Sequence, residues 1–139
     1  NLSYQYINKV TWTYIQEYDQ YINLLLPNIS REDSLNNFKL YSVEYTCNSF
    51  KYYKYYVLFL YKQSQLLCLL KFNSQFHLIN KFIINFCSEC TLHMIARNND
   101  ITIIEKIYYI NSNLRVTKVI IQKNGDNIGT TFSSEIRIS

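Results

Sequence analysis

The amino-acid sequence predicts an all-β domain: a closed antiparallel barrel of about eight to ten strands with one short α-helix. Three observations carry this expectation. Tyr (14) and Phe (8) recur through the 139 residues, together with many Ile, and such side chains fit a pleated, half-buried surface. From Phe38 onward, apolar runs alternate with short polar breaks at the regular spacing of antiparallel barrels and sandwiches. No helix-length segment separates those runs, which argues against a parallel sheet. Closure is expected because it removes strand edges that would otherwise pair with other chains.

Taken in order, residues 4–26 read two ways: one amphipathic helix, or two strands broken near Glu17 and Asp19. The Ile and Tyr density and the run Val-Thr-Trp-Thr-Tyr favour strands, towards the second half of the segment. Pro27 and Asn28 end it. Ser30 can accept a backbone N–H, and Glu32 and Asp33 suit the positive end of a helix, so a short helix is expected over residues 30–36. Strand-like runs then occupy 38–46, 51–62, 66–72, 76–86, 90–97, 101–110, 114–123 and 128–138. The breaks between them are CNS, QSQ, NSQ, CSE, NND, NSN and NGDN. With only 2 Gly and 1 Pro in the chain, the turns must lean on Asn, Asp and Ser. In NGDN, Gly125 supplies the positive φ that a tight hairpin needs.

The length fits a single domain spanning residues 1–139, with enough chain to bury a core. The formal charge of +4 is mild and falls short of a nucleic-acid signature. Part of the Lys, Asn and Tyr content reflects an AT-rich coding bias. No run approaches the roughly 18 apolar residues of a spanning helix. No basic-plus-apolar leader is visible, and the missing initiator Met points to a few absent N-terminal residues. Cys47, Cys68, Cys87 and Cys90 are expected as reduced thiols, because a domain with this much core material does not need a disulfide framework.

Glu105 and Arg115 stand out among strand-forming residues. If NSN is a turn, Tyr109 pairs with Arg115, Ile110 with Leu114 and Glu105 with Val119. Glu105, Tyr109, Arg115 and Thr117 then share one face, with Lys106, Lys118 and Gln122 on the other. Glu105 and Arg115 come about four residues apart on the ladder, roughly 13 Å. That is too far for a mutual ion pair and suits two points on an elongated, charged ligand. By pattern alone, an Arg on a strand belongs to the solvent. Glu135 and Arg137 end the last strand and read as a structural salt bridge or a barrel-closing contact. Cys87 and Cys90 lack a second Cys pair, and residues three apart on a strand point to opposite faces, so they are expected in core or turn positions without metal. Lys51-Tyr-Tyr-Lys-Tyr-Tyr56 interleaves cations and rings as single-stranded nucleic-acid platforms do. At this net charge, it is expected to be an ordinary strand.

Glu105-x-x-Tyr-Tyr-x-Asn-x-Asn-Leu-Arg115, followed by Thr-Phe-Ser-Ser-Glu-Ile-Arg137, resembles the C-terminal signature of the CpcS/CpeS family of phycobilin lyases. Leu-Leu-Leu-Pro27 with a short helix after it resembles a further family segment. The sequence departs from the family at Tyr108 (a Trp there), Ser112 (Pro) and Ser133 (Cys), and at Thr117, where a basic residue often stands. The family's first strand carries Trp-x-Ser-Gln-Arg-Thr. Trp12-Thr13-Tyr14-Ile15 holds that place without the Arg.

The resemblance implies a lipocalin-like or fatty-acid-binding-like barrel that binds an open-chain tetrapyrrole, phycoerythrobilin or phycocyanobilin, as substrate, with no other cofactor. It implies attachment of that bilin through a thioether to a cysteine of an apo-phycobiliprotein subunit. A lipocalin-like carrier without transferase activity is the alternative. Arg115 is expected to clamp a propionate. Glu105 is the expected catalytic residue, accepting pyrrole N–H bonds and favouring the protonated bilin. Tyr109, Thr117 and Trp12 complete the expected ligand contacts, with neither metal nor nucleic acid involved. The expected setting is the plastid stroma of a phycobilin-containing alga, or else a cyanobacterial cytoplasm. A homodimer is left open.

Overall fold

A computed structural model of the chain describes residues 9–17, 19–25, 38–47, 49–60 and 66–137. The fold is all-β. Its strands are β1 (Lys9–Ile15), β2 (Phe38–Cys47), β3 (Phe50–Leu60), β4 (Leu67–Phe72), β5 (Leu78–Ser88), β6 (Thr91–Asn98), β7 (Ile101–Asn111), β8 (Leu114–Lys123) and β9 (Asp126–Ile136). Every strand pairing described is antiparallel and joins sequence neighbours. The antiparallel all-β class expected from the sequence is therefore borne out.

The ambiguous segment resolves differently from its sequence reading. Its first half is β1. Its second half is helical, a 3-10 turn at Asp19–Tyr21 running into one α-helical turn, α1 (Ile22–Leu25). Leu25, fully buried, anchors the end of this helical segment. The helix expected over residues 30–36 lies outside the described residues.

The chain divides into two compact units, Asn1–Asn80 and Lys81–Ser139. In the first, β1 to β4 form a meander whose register puts alternate residues on two distinct faces. One face buries Leu40, Val57, Phe59, Cys68, Leu70 and Phe72. Each such apolar side chain contributes roughly 1.5–3 kcal/mol on full burial. Tyr55 lies on this face and stacks on Phe76, ring centroids 4.2 Å apart, with Tyr21 against both. Burial raises the Tyr55 phenol pKa, and the neighbouring Tyr21 and Tyr53 raise it further, so this phenol stays neutral in the cluster.

The link from β4 to β5 is longer than the expected NSQ break. Asn73 organises it: its Oδ1 accepts the backbone N–H groups of Gln75 and His77, both at 2.9 Å. Phe76, read from the sequence as the start of a strand, instead sits in the turn at φ 61°. That conformation is uncommon for a bulky residue, and the ring cluster with Tyr55 and Tyr21 holds it in place.

The second unit carries β5 from Lys81 onward and β6 to β9, with Phe82, Ile84, Met94, Ala96 and Ile107 among its buried side chains. The β8–β9 hairpin turns through Asn124 (φ 51°) and Gly125 (φ 86°). Two successive positive φ values match the right-handed twist of the flanking strands, which is why Asn-Gly is favoured there. A Cβ at Gly125 would meet nothing within 4 Å, so the cost of Gly125→Val is backbone strain alone. That cost is expected to be about 1–2 kcal/mol. Gly129 also has open space around it and no positive φ. Gly129→Val is expected to be neutral or mildly stabilising, since Gly weakens a strand interior. Chemical denaturation of the two variants against the parent checks the contrast.

Candidate functional site

The register of β7 and β8 brings the expected residues together. Tyr109 lies opposite Arg115, Ile107 opposite Thr117 and Glu105 opposite Val119. Alternation places Glu105, Tyr109, Arg115 and Thr117 on one face, as the sequence geometry anticipated. Ile110 does not pair with Leu114. A bulge intervenes and Asn111 takes that position, with its side-chain oxygen accepting the Asn113 N–H at 2.8 Å. The bulge lies beyond Tyr109 and leaves the pairing of the site residues intact. Lys106 and Lys118 pair on the opposite face. There Lys118 lies over the Phe132 ring, 5.5 Å from its centroid, and Gln122 bonds Asn127 at 3.0 Å.

The same face runs on into β6, where Met94 pairs with Glu105 and Leu92 with Ile107. Met94 and Ile107 are buried. Glu105 is half-buried beside them, and so are Arg115 and Thr117, while Tyr109 is more exposed. The surface is an apolar strip carrying an acid at one point and a guanidinium and a phenol farther along. It offers van der Waals contact to a long apolar body and two charged points to its polar edge.

Arg115 does not stand alone. Its Nε donates to Glu135 Oε2 at 2.8 Å, and its Nη2 donates to the same oxygen. The two residues face each other across β8 and β9. An arginine carries five N–H donors, so this pairing fixes the guanidinium plane and leaves the Nη1 edge for a second carboxylate. Glu135 has the structural role expected of it, with Arg115 as its partner. Arg137 contributes instead through its backbone N–H, which bonds the Asn113 carbonyl at 2.7 Å. Sequence reading passed over the Arg115–Glu135 pair, because it depends on a one-residue shift in the β8–β9 register between Ile121 and Gln122.

Trp12 belongs to the other unit of the chain. It lies on β1 in the first unit, edge-on to Tyr41 at 6.3 Å and tilted on Tyr56 at 5.1 Å. Four of the five expected ligand contacts share one surface of the second unit, and the fifth, Trp12, belongs to an aromatic assembly of the first unit.

Cys87 and Cys90 flank the β5–β6 turn. Both are free and exposed, and the Ser88 hydroxyl accepts the Cys90 N–H at 3.2 Å. Cys87 falls at a bulge between Phe86 and Ser88, so the hairpin turns one residue later than the expected CSE break. Cys68 is a buried thiol. No cluster of three or more metal-ligating side chains occurs among the described residues. Replacing Cys87 and Cys90 together by Ser is expected to leave ligand affinity within a few-fold of the parent. Metal analysis by mass spectrometry, with titrations of both proteins, checks this. Stoichiometric zinc lost with the two thiols would contradict it.

Residues 76–138 match the family described as CpeS-like protein, just under half of the chain. The matched span contains Glu105, Tyr109, Arg115, Thr117 and Glu135, and it bears out the resemblance read from the sequence. Neither a curated protein nor a solved structure matches the chain.

Proposed function

We propose that this chain, CpeS-like over residues 76–138, is a phycobilin lyase: it binds an open-chain tetrapyrrole and delivers it to a cysteine of a phycobiliprotein subunit. The observation that supports this most is the placement of Glu105 and Arg115 on one half-buried face, four ladder steps apart. A bilin has carboxylates on its propionates, N–H groups on its pyrroles and a long apolar body. Arg115, oriented by Glu135, offers its remaining N–H groups to a propionate. Glu105 accepts pyrrole N–H bonds, and its negative charge favours the protonated, more electrophilic bilin. Tyr109 supplies a flat amphipathic wall, and Thr117 a hydroxyl between the two charged points.

In the transfer step, the acceptor thiolate adds to the exocyclic double bond of the terminal ring. One S–C bond forms, the double bond is consumed, and a proton goes to the neighbouring carbon. No oxidant and no leaving group are needed. The nucleophile belongs to the acceptor, so this chain needs no thiol of its own. A plastid or a cyanobacterial cytoplasm is the setting that such a substrate implies.

The test is absorbance. Mixing the protein with phycocyanobilin or phycoerythrobilin is expected to sharpen and red-shift the ligand band. Adding an apo-phycobiliprotein subunit is then expected to yield a coloured subunit that survives denaturation. A red-shifted band with no covalent product would favour the carrier. No change on mixing would refute bilin binding.

A further inference from the structure

The first unit carries a second organised surface. Opposite its buried face, the register of β1 to β3 aligns Trp12 with Val43, Tyr14 and Tyr56 with Tyr41, and Tyr45 with Tyr52. The rings pack on one another. Tyr45 and Tyr52 are stacked, centroids 4.8 Å apart and planes within 9°. Trp12 tilts on Tyr56, and Tyr14 on Tyr41 at 5.4 Å. The Tyr45 and Tyr56 hydroxyls are 3.2 Å apart. Val43 is fully buried beneath this layer, yet Trp12, Tyr14 and Tyr52 remain 46%, 49% and 39% exposed. The result is a rigid aromatic tile, locked by its own contacts.

Its charge is one-sided. Lys54 shares the face and sits over the Tyr45 and Tyr52 rings, at 5.4 and 5.9 Å. Lys39 pairs with Leu58, and Lys71 pairs with Tyr56, so alternation puts both on the same face. Among the described strand residues of β1 to β4, this face carries no Asp or Glu. Glu44 lies on the other face, with Lys51 at 3.3 Å.

We propose that this tile is the docking surface for the acceptor protein, engaging a patch of that protein that bears carboxylates. The proposal rests on the lyase reading above and adds to it the surface through which the acceptor is held. Exposed Tyr and Trp on a face that also carries lysines match the composition of protein-recognition hot spots, and their pre-set rotamers lower the ordering cost on binding. Single-stranded nucleic acid is disfavoured, because stacking leaves Tyr45 and Tyr52 only one π-face each and Lys54 lies over both rings. A second copy of the chain is disfavoured too. A two-fold interface built on this face would join two patches that both carry lysines and, among their described strand residues, no carboxylate to complement them.

The experiment measures binding of the full chain to an apo-phycobiliprotein subunit by titration calorimetry at low and moderate salt, with bilin absorbance recorded on the same samples. Tyr52→Ala and Lys54→Glu are each expected to weaken acceptor binding by roughly tenfold or more, and Tyr52→Phe to retain it. Lys54→Glu should also flatten the salt dependence. All three should keep the parent's red-shifted bilin band, which certifies the fold and the ligand face. Unchanged acceptor affinity in Tyr52→Ala and Lys54→Glu overturns the proposal. So does loss of the bilin band with acceptor binding intact, which would make the tile a ligand platform. So does a shift in oligomeric state without a change in acceptor affinity. If the parent protein binds no bilin, the lyase reading fails by itself, and the acceptor titration still decides whether the tile docks a protein.

Discussion

Arg115→Ala is expected to bind phycobilin roughly ten- to hundredfold more weakly than the parent. A hydrogen bond to a charged group contributes about 1.5–3 kcal/mol, and each 1.4 kcal/mol is about a factor of ten in affinity. The structure sharpens this expectation in two ways. Glu135 holds the guanidinium through Nε and Nη2, so the ligand meets an oriented donor edge and little side-chain entropy remains to be lost on binding. Removing Arg115 also strips Glu135 of its partner, but that carboxylate side chain is 42% exposed. Water can solvate it, and after discounting for that screening the loss of folding stability should stay within about 1 kcal/mol. A fluorescence titration with phycocyanobilin beside a thermal melt separates the two effects. Unchanged affinity in a folded variant would remove Arg115 from the site.

Glu105→Gln is expected to act on the spectrum more than on the affinity. The amide keeps the shape and an acceptor oxygen, so hydrogen bonding to a pyrrole N–H survives in part. The counter-charge is lost. Met94, the cross-strand neighbour of Glu105, and Ile107, two positions along β7, are buried, and in such surroundings charge interactions are stronger than in bulk water. The bound bilin should therefore give up much of its protonated fraction, and its band should shift to the blue and weaken. Transfer to the acceptor thiol should slow, because the neutral bilin is the poorer electrophile. Absorbance spectra across pH 6 to about 9 give the comparison. The parent should hold its red-shifted band to higher pH than Glu105→Gln. Superimposable spectra would refute the counter-charge role.

The strand content and most of the second unit's register were legible in the sequence. NSN and NGDN lie between apolar runs of strand length, and polar tripeptides with Asn or Gly at the turn leave few ways to fold back. That was enough to pair Tyr109 with Arg115 and Glu105 with Val119, and thus to gather four site residues on one face. The period of two fixes which side chains share a face once a single pairing is known.

Other features were settled only in three dimensions, and each for a stated reason. Beside the Asn-Gly turn, Lys123 pairs with Asp126 and Gln122 with Asn127, but from Ile121 onward the partner is one residue later, starting with Gly129. Without that bulge Arg115 would face Ser134. With it, Arg115 faces Glu135. A bulge leaves no mark in apolar alternation, because both neighbouring runs remain strand-like. Phe76 reads as a strand residue by type, yet Asn73 and the Tyr55 ring hold it in a turn, so tertiary contacts override its propensity. The aromatic tile was invisible for a similar reason. Alternation within Lys-Tyr-Tyr-Lys-Tyr-Tyr puts Tyr52, Lys54 and Tyr56 on one side of a strand and Tyr53 and Tyr55 on the other. Only the register of β1 to β3 sets Trp12 and Tyr41 beside the first group. From Phe38 onward the sequence by itself determined most of the strand runs and, to within a few residues, where the chain turns back. The tertiary structure decided who stands opposite whom, because a shift of one residue costs little locally and changes every partner beyond it.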